Sequence, residues 1–218
     1  MTTYFLEIQF TSKGLATVNA AGQQVAIVKS TTPTSSPVVW VAFHPEMNNH
    51  VTWTEEYSVY GSNSEIVAGA TISTASSFEA LASESYPFVG GQFEAGVAGL
   101  EPTQYGVLNQ DVNFPMLTAG LAQVPNGSGS SAGPSPLNAT LVPFGESGIY
   151  TPIEQVSVFA LANANNGLVI SSVQSQALLV DLTETTSQTI HYDDQLNVFA
   201  PGPLAPIASA RRRLRRAS

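Results

Sequence analysis

The chain has 218 residues, 11% of them charged and 43% hydrophobic, with no cysteine and a formal net charge of −9. This excludes a disulfide scaffold, a cysteine nucleophile and a thiolate metal site, and the apolar content excludes a disordered chain. Charge is unevenly placed. Positions 1–210 hold only Lys13 and Lys29 against all 16 acids, a sum of −14, while Arg211, Arg212, Arg213, Arg215 and Arg216 crowd the end. Solubility must rest on Ser, Thr, Asn and Gln, which suit β-surfaces better than helices.

In chain order the periodicity is β nearly throughout. Segments 4–10 and 24–29 alternate and are rich in strand formers. Segment 37–43 is apolar on both faces, as in a central strand covered on two sides. Asn48-Asn49 offers a turn into one long strand over 50–60, with Val51, Trp53, Glu55, Tyr57 and Val59 on one face. Shorter strands are expected at 68–72, 88–93, 105–108 and 116–124, with a helical turn or two over 77–83. Residues 124–134 form a Gly/Ser/Pro loop. Strong strand signals return at 139–143, 155–161, 168–173, 177–182 and 189–192.

Two stretches, 39–53 and 156–170, share a strand–Asn-Asn–strand pattern. This is either the common hairpin signature or a duplication of sandwich subdomains. The fold class is therefore all-β, an antiparallel β-sandwich of about a dozen strands in residues 1–200. It forms one large sandwich or two small ones divided near 100–135. Residues 201–218 form a proline-rich linker and an arginine-rich tail.

Catalytic motifs lack their context. Gly129-Ser130-Ser131-Ala132-Gly133 matches a nucleophile elbow, but a loop precedes it and Pro134 follows, so a serine hydrolase is rejected. His44, Glu46 and His50 flank one turn and have the ligand types for zinc or copper. The plainer reading is a polar loop, and no metal is predicted. His191-Tyr192-Asp193-Asp194 lacks the spacing of a calcium loop. Trp40, Phe43, Trp53, Tyr57 and Tyr60 cluster on strands expected to pair. Most belong in a core, but a subset has the faces needed to stack a flat ligand. His44, Glu46, Asn49 and His50 lie close enough in sequence to anchor its polar edge. The candidate ligand-binding residues are Trp40, Phe43, His44, Glu46, His50, Trp53 and Tyr57.

The runs 38–45 and 51–60, together with Gly120-Leu121-Ala122-Gln123 and Thr151-Pro152-Ile153-Glu154, resemble a family of mushroom fruiting-body β-proteins that includes pigment-bearing chromoproteins. The resemblance covers most of residues 1–200. It implies a small organic chromophore of the indolone type and no enzymatic step. It carries no ligand residues onto this chain.

The expectation is a non-catalytic protein binding a small planar apolar ligand. The alternatives are a lectin-like carbohydrate binder and a shell protein whose arginine tail holds nucleic acid. The acidic body disfavours nucleic acid or anionic membrane, so any nucleic-acid partner depends on Arg211–Arg216. The same tail also fits a basophilic kinase site at Ser218, or an appendage without a native role. Met1 to Glu7 contains no basic segment, and no apolar run of about 18 residues occurs, so neither a signal peptide nor a membrane helix is expected. A cytoplasmic location and unused sequons at Asn126 and Asn138 follow from that expectation.

Overall fold

The computed structural model describes residues 2–33 and 36–205. The arginine tail, with its nucleic-acid and kinase readings, lies outside the described residues. In chain order the first strands are β1 (Thr3–Gln9), β2 (Gln23–Thr32), β3 (Ser36–Pro37), β4 (Val41–Phe43), β5 (Asn48–Thr54) and β6 (Tyr57–Ser62). There follow β7 (Ser76–Ala80), β8 (Glu84–Val89), β9 (Gln92–Phe93), β10 (Val97–Ala98), β11 (Tyr105–Asn109), β12 (Met116–Gln123) and β13 (Asn126–Gly127). The last are β14 (Ser135–Pro136), β15 (Asn138–Pro143), β16 (Ser147–Ala162), β17 (Leu178–Asp181), β18 (Ser187–Asp193) and β19 (Val198–Pro201). Among the described residues one helix, α1 (Ser12–Ala20), sits between β1 and β2.

The strands form three sheets: β13-β5-β1-β18-β19, β10-β8-β11-β16-β2-β4 with β17 and β9 attached, and β3-β15-β12-β6-β7 with β14 attached. Pairing is mainly antiparallel, except that β1 runs parallel to β18 and β8 parallel to β11. The all-β sandwich class read from the sequence is what the structure has. Strands from before residue 100 and after residue 135 pair in every sheet. One continuous core joins Leu6 and Ile8 of the first sheet, Ile27 and Val158 of the second, and Val59 and Leu121 of the third.

Several local expectations are corrected. No hairpin forms about Asn48-Asn49: β4 pairs with β2 while β5 pairs with β1, in a different sheet. The long strand over 50–60 is broken at Glu55-Glu56, so that β5 and β6 also lie in different sheets. Inward alternation survives the break, because Val51, Trp53, Tyr57 and Val59 are all buried. Residues 168–173 contribute only isolated bridges, Leu168 to Thr71 and Val169 to Val38. The helical turn expected at 77–83 is instead the edge strand β7.

Helix α1 lies where the sequence showed no helical period. Its start is set by Thr11, whose Oγ1 accepts the Gly14 N–H at 2.9 Å. Gly14 is required by proximity: a Cβ there would stand 2.9 Å from the Tyr192 ring.

Along β2, Val25 and Ile27 face the main core, whereas Ala26 and Val28 face a smaller cluster with Val39 and Phe159. The same period of two places Lys29 inward. Opposite it, the β2–β16 register shifts. Thr31 pairs with Pro152 but Lys29 pairs with Val156, leaving three residues of β16 facing one of β2. A bulge of this kind re-aims a side chain, and here it carries Glu154.

Candidate functional site

The polar centre of the molecule is the Lys29–Glu154 pair. The Lys29 side chain is 0% exposed and that of Glu154 is 13% exposed. Lys29 Nζ lies 2.9 Å from both carboxylate oxygens and also donates to Gln123 Oε1 at 2.9 Å and to the Tyr57 hydroxyl at 3.2 Å. Three rings surround the ammonium. Their centroids lie 5.2 Å away for Tyr57, 5.4 Å for Trp53 and 5.8 Å for Trp40, within cation–π range.

Glu154 is equally occupied. Tyr57 donates its hydroxyl to Oε1 at 2.5 Å, and Trp53 Nε1 donates to Oε2 at 3.0 Å. Trp40 Nε1 donates to the Gln123 carbonyl at 3.1 Å, and Gln123 Nε2 donates to the Thr54 carbonyl at 2.6 Å. An ammonium has three protons to give, and all three have acceptors here. The ammonium is thus fully hydrogen-bonded within the cluster.

Burial pushes the Lys29 ammonium down from 10.5 to about 8, against the attraction of Glu154. Burial pushes the Glu154 carboxyl up, but Lys29 and the hydrogen bonds from Tyr57 and Trp53 outweigh it and hold the group below its ordinary 4.5. Burial also raises Tyr57, Tyr60 and Tyr150 above 10.0.

A pH dependence of stability follows. Between about 8 and 10.5 the unfolded chain keeps the lysine proton that the folded chain releases, so stability rises with pH. Above 10.0 the unfolded tyrosines ionise first and stability falls. The contribution of Glu154 is present above 4.5 and is lost as pH falls below it. Urea midpoints measured from about pH 7 to about 11 should rise, pass a maximum near 9–10 and fall. The rising limb should vanish in Lys29→Met, and a flat wild-type profile would count against a buried ammonium.

The seven residues read from the sequence as a ligand site fall into separate groups. Trp40, Trp53 and Tyr57 come together, but around Lys29. Trp40 and Trp53 are 0% and 1% exposed. Trp53 stacks on Tyr4 at 5.5 Å and takes the edge of Trp40 at 5.3 Å. Neither indole has an open face, so the expected stacking platform is not formed. Phe43 is buried beside Val25 in the β2–β4 pair.

His44 and Glu46 are exposed, and His50 points away from Trp53 on the opposite face of β5, its ring 6.3 Å from that of Phe5. Asn49 closes that turn, accepting from Glu46 N and donating to the carbonyls of Glu46 and Ile8. Among the described residues, no three His, Asp or Glu side chains converge as a metal site would need.

Open space lies elsewhere. A polar cleft of about 470 Å³ opens beside Tyr57 and Gln123 and is rimmed by Glu56, Glu79 and Asn126. An apolar groove of about 660 Å³ is lined by Pro37, Ile66, Ala68, Val169, Ile170 and Val173 together with three serines. The backbone under it is well tied: Val169 N donates to the Ala70 carbonyl at 2.8 Å and Ile170 N to the Pro37 carbonyl at 3.0 Å. Sequence reading missed both Lys29–Glu154 and this groove. The first had a signal, a lysine in register with Val25 and Ile27. The second joins segments about 100 residues apart that carry no motif.

No helix among the described residues is long and apolar enough to cross a membrane. Compared with family models, curated proteins and solved structures, the chain gives no match.

Proposed function

We propose that this chain is a non-catalytic binding protein for a small, flat, apolar ligand held in the groove between residues 66–68 and 169–173. The groove itself carries the reading. Its volume of about 660 Å³ and its walls of Pro37, Ile66, Val169, Ile170 and Val173, with the serines 36, 171 and 172 at the rim, suit a mostly apolar small-molecule site with few polar anchors. An indolone-type pigment is a ligand of this kind, and the resemblance to fruiting-body chromoproteins points the same way.

The test is titration with N-phenyl-1-naphthylamine, a flat apolar dye whose emission rises on leaving water. Saturable binding of one dye per chain is expected, weakened about tenfold or more by Ile66→Asp, since a buried carboxylate disfavours an apolar guest. Ile66 is only partly buried, so the variant should fold. Non-saturable binding, or binding that Ile66→Asp leaves unchanged, would overturn the reading.

A further inference from the structure

Asparagine followed by glycine occurs twice in the chain, at Asn126-Gly127 and at Asn166-Gly167. Such a pair is reactive. Glycine has no Cβ to shield its backbone nitrogen, so that nitrogen can attack the side-chain carbonyl carbon of the asparagine before it. The fold treats the two pairs in opposite ways.

Asn166-Gly167 is locked. The Gly167 N–H donates to the Val39 carbonyl at 2.7 Å, which occupies the nucleophile. The Asn166 amide is held at both ends: Oδ1 accepts from Ala42 N at 2.7 Å, and Nδ2 donates to the Gly129 carbonyl at 3.2 Å.

Asn126-Gly127 is open. The two residues are the whole of β13, which ends the first sheet, and both are exposed. Among the described residues nothing comparable holds the Asn126 amide, which lies on the rim of the polar cleft with Glu56 and Glu79. Gly127 stands opposite Val51 of β5, and Ser128 N donates to the His50 carbonyl at 2.7 Å. Antiparallel pairs alternate between bonded and non-bonded. Gly127 therefore falls in a non-bonded pair, and its N–H points away from β5 toward the open edge. A two-residue edge strand also opens at little cost. The glycine itself is fixed by the fold: its φ is +88°, and a Cβ there would collide with the His50 carbonyl oxygen.

We propose that Asn126-Gly127 is a site of spontaneous modification. The Gly127 nitrogen bonds to Asn126 Cγ, its proton leaves with the side-chain nitrogen as ammonia, and a succinimide ring closes. Water then adds to either ring carbonyl and opens the ring, giving aspartate or isoaspartate. Both products put a third carboxylate beside Glu56 and Glu79, in a body that is already strongly acidic. Isoaspartate also lengthens the backbone by a methylene and breaks the short register with β5. The cleft beside Tyr57 and Gln123 thereby changes charge and shape as the molecule ages.

The experiment is incubation of the folded chain at neutral pH and physiological temperature, then digestion after glutamate. Asn126 falls in fragment 102–146 and Asn166 in fragment 155–184, and tandem mass spectrometry locates the gain of about one dalton. Asn126 should gain it at least about tenfold faster than Asn166. Isoaspartyl methyltransferase should label fragment 102–146. In concentrated urea the two rates should converge, because only the fold separates them. The Gly127 amide should exchange with deuterium rapidly and the Gly167 amide slowly. Asn126→Gln should abolish the change, and Asn126→Asp should elute on anion exchange with the aged wild-type fraction. Equal rates at the two sites in the folded protein would overturn the proposal, as would an Asn126 that stays intact while the urea-unfolded chain reacts there.

Discussion

Replacing Glu154 with leucine should lower the unfolding free energy by about 3–5 kcal/mol, whereas Lys29→Met should cost clearly less. The asymmetry comes from what each change leaves behind. Without Glu154, a fully buried ammonium keeps only Gln123 Oε1 and the Tyr57 hydroxyl, and Trp53 Nε1 loses its acceptor. Without Lys29, the carboxylate keeps donors from Tyr57 and Trp53 and its 13% exposure to water.

The double variant Lys29→Met/Glu154→Leu should be more stable than Glu154→Leu alone, because removing both charges removes the desolvation penalty along with the attraction. Urea unfolding at neutral pH measures all four corners of the cycle. Additive losses would mean that the pair is not coupled, and the account of the core given above would fail. Equal losses from the two single variants would contradict the unequal exposure of the partners.

The all-β class was legible because alternation of apolar and polar residues is a local property. Strands such as β1, β5 and β18 carry it within a few residues. Burial of Trp40 and Trp53 was legible as the commoner fate of aromatics in a sandwich. What was not legible is which strand pairs with which. Segment 37–60 reads as a hairpin and a long strand, yet its pieces are distributed over three sheets. The break at Glu55-Glu56 is a tertiary decision that leaves the inward period of two intact, so the pattern gives no sign of it.

Helix α1 was missed because only Gly14 and Val18 are buried along it, too little for a 3.6-residue stripe. The site was harder still. Lys29 and Glu154 lie 125 positions apart and meet only because β16 bulges against β2. A bulge of that kind depends on the partner strand and has no signature in either strand alone. The groove is likewise a product of connectivity. Residues 66–68 and 168–173 meet through a few backbone bonds, and their serines, valines and isoleucines are ordinary residues until the chain brings them together.

Trp40→Ala should be the most damaging single truncation of an uncharged side chain, lowering stability by about 3–5 kcal/mol. Trp40 ties the three sheets at one point. Its backbone N–H donates to the Ile27 carbonyl of β2, its indole N–H donates to the Gln123 carbonyl of β12, and its edge packs on Trp53 of β5. Alanine would open a cavity at a residue that is 0% exposed and remove the indole donor from the Gln123 backbone carbonyl.

Trp40→Phe separates the contributions. It retains most of the volume and a ring near Lys29 but loses the indole N–H, and should cost about 1–3 kcal/mol. Urea midpoints give the free energies, and the near-ultraviolet circular dichroism band from the coupled indoles should collapse in both variants while the far-ultraviolet β signal persists. A loss below about 1 kcal/mol for Trp40→Ala would show that the sheets are held together elsewhere. The dye groove offers an independent check. It is lined by Ser36, Pro37, Ile66, Ala68 and residues 169–173 and by neither indole, so a folded Trp40→Phe protein should bind naphthylamine with unchanged affinity.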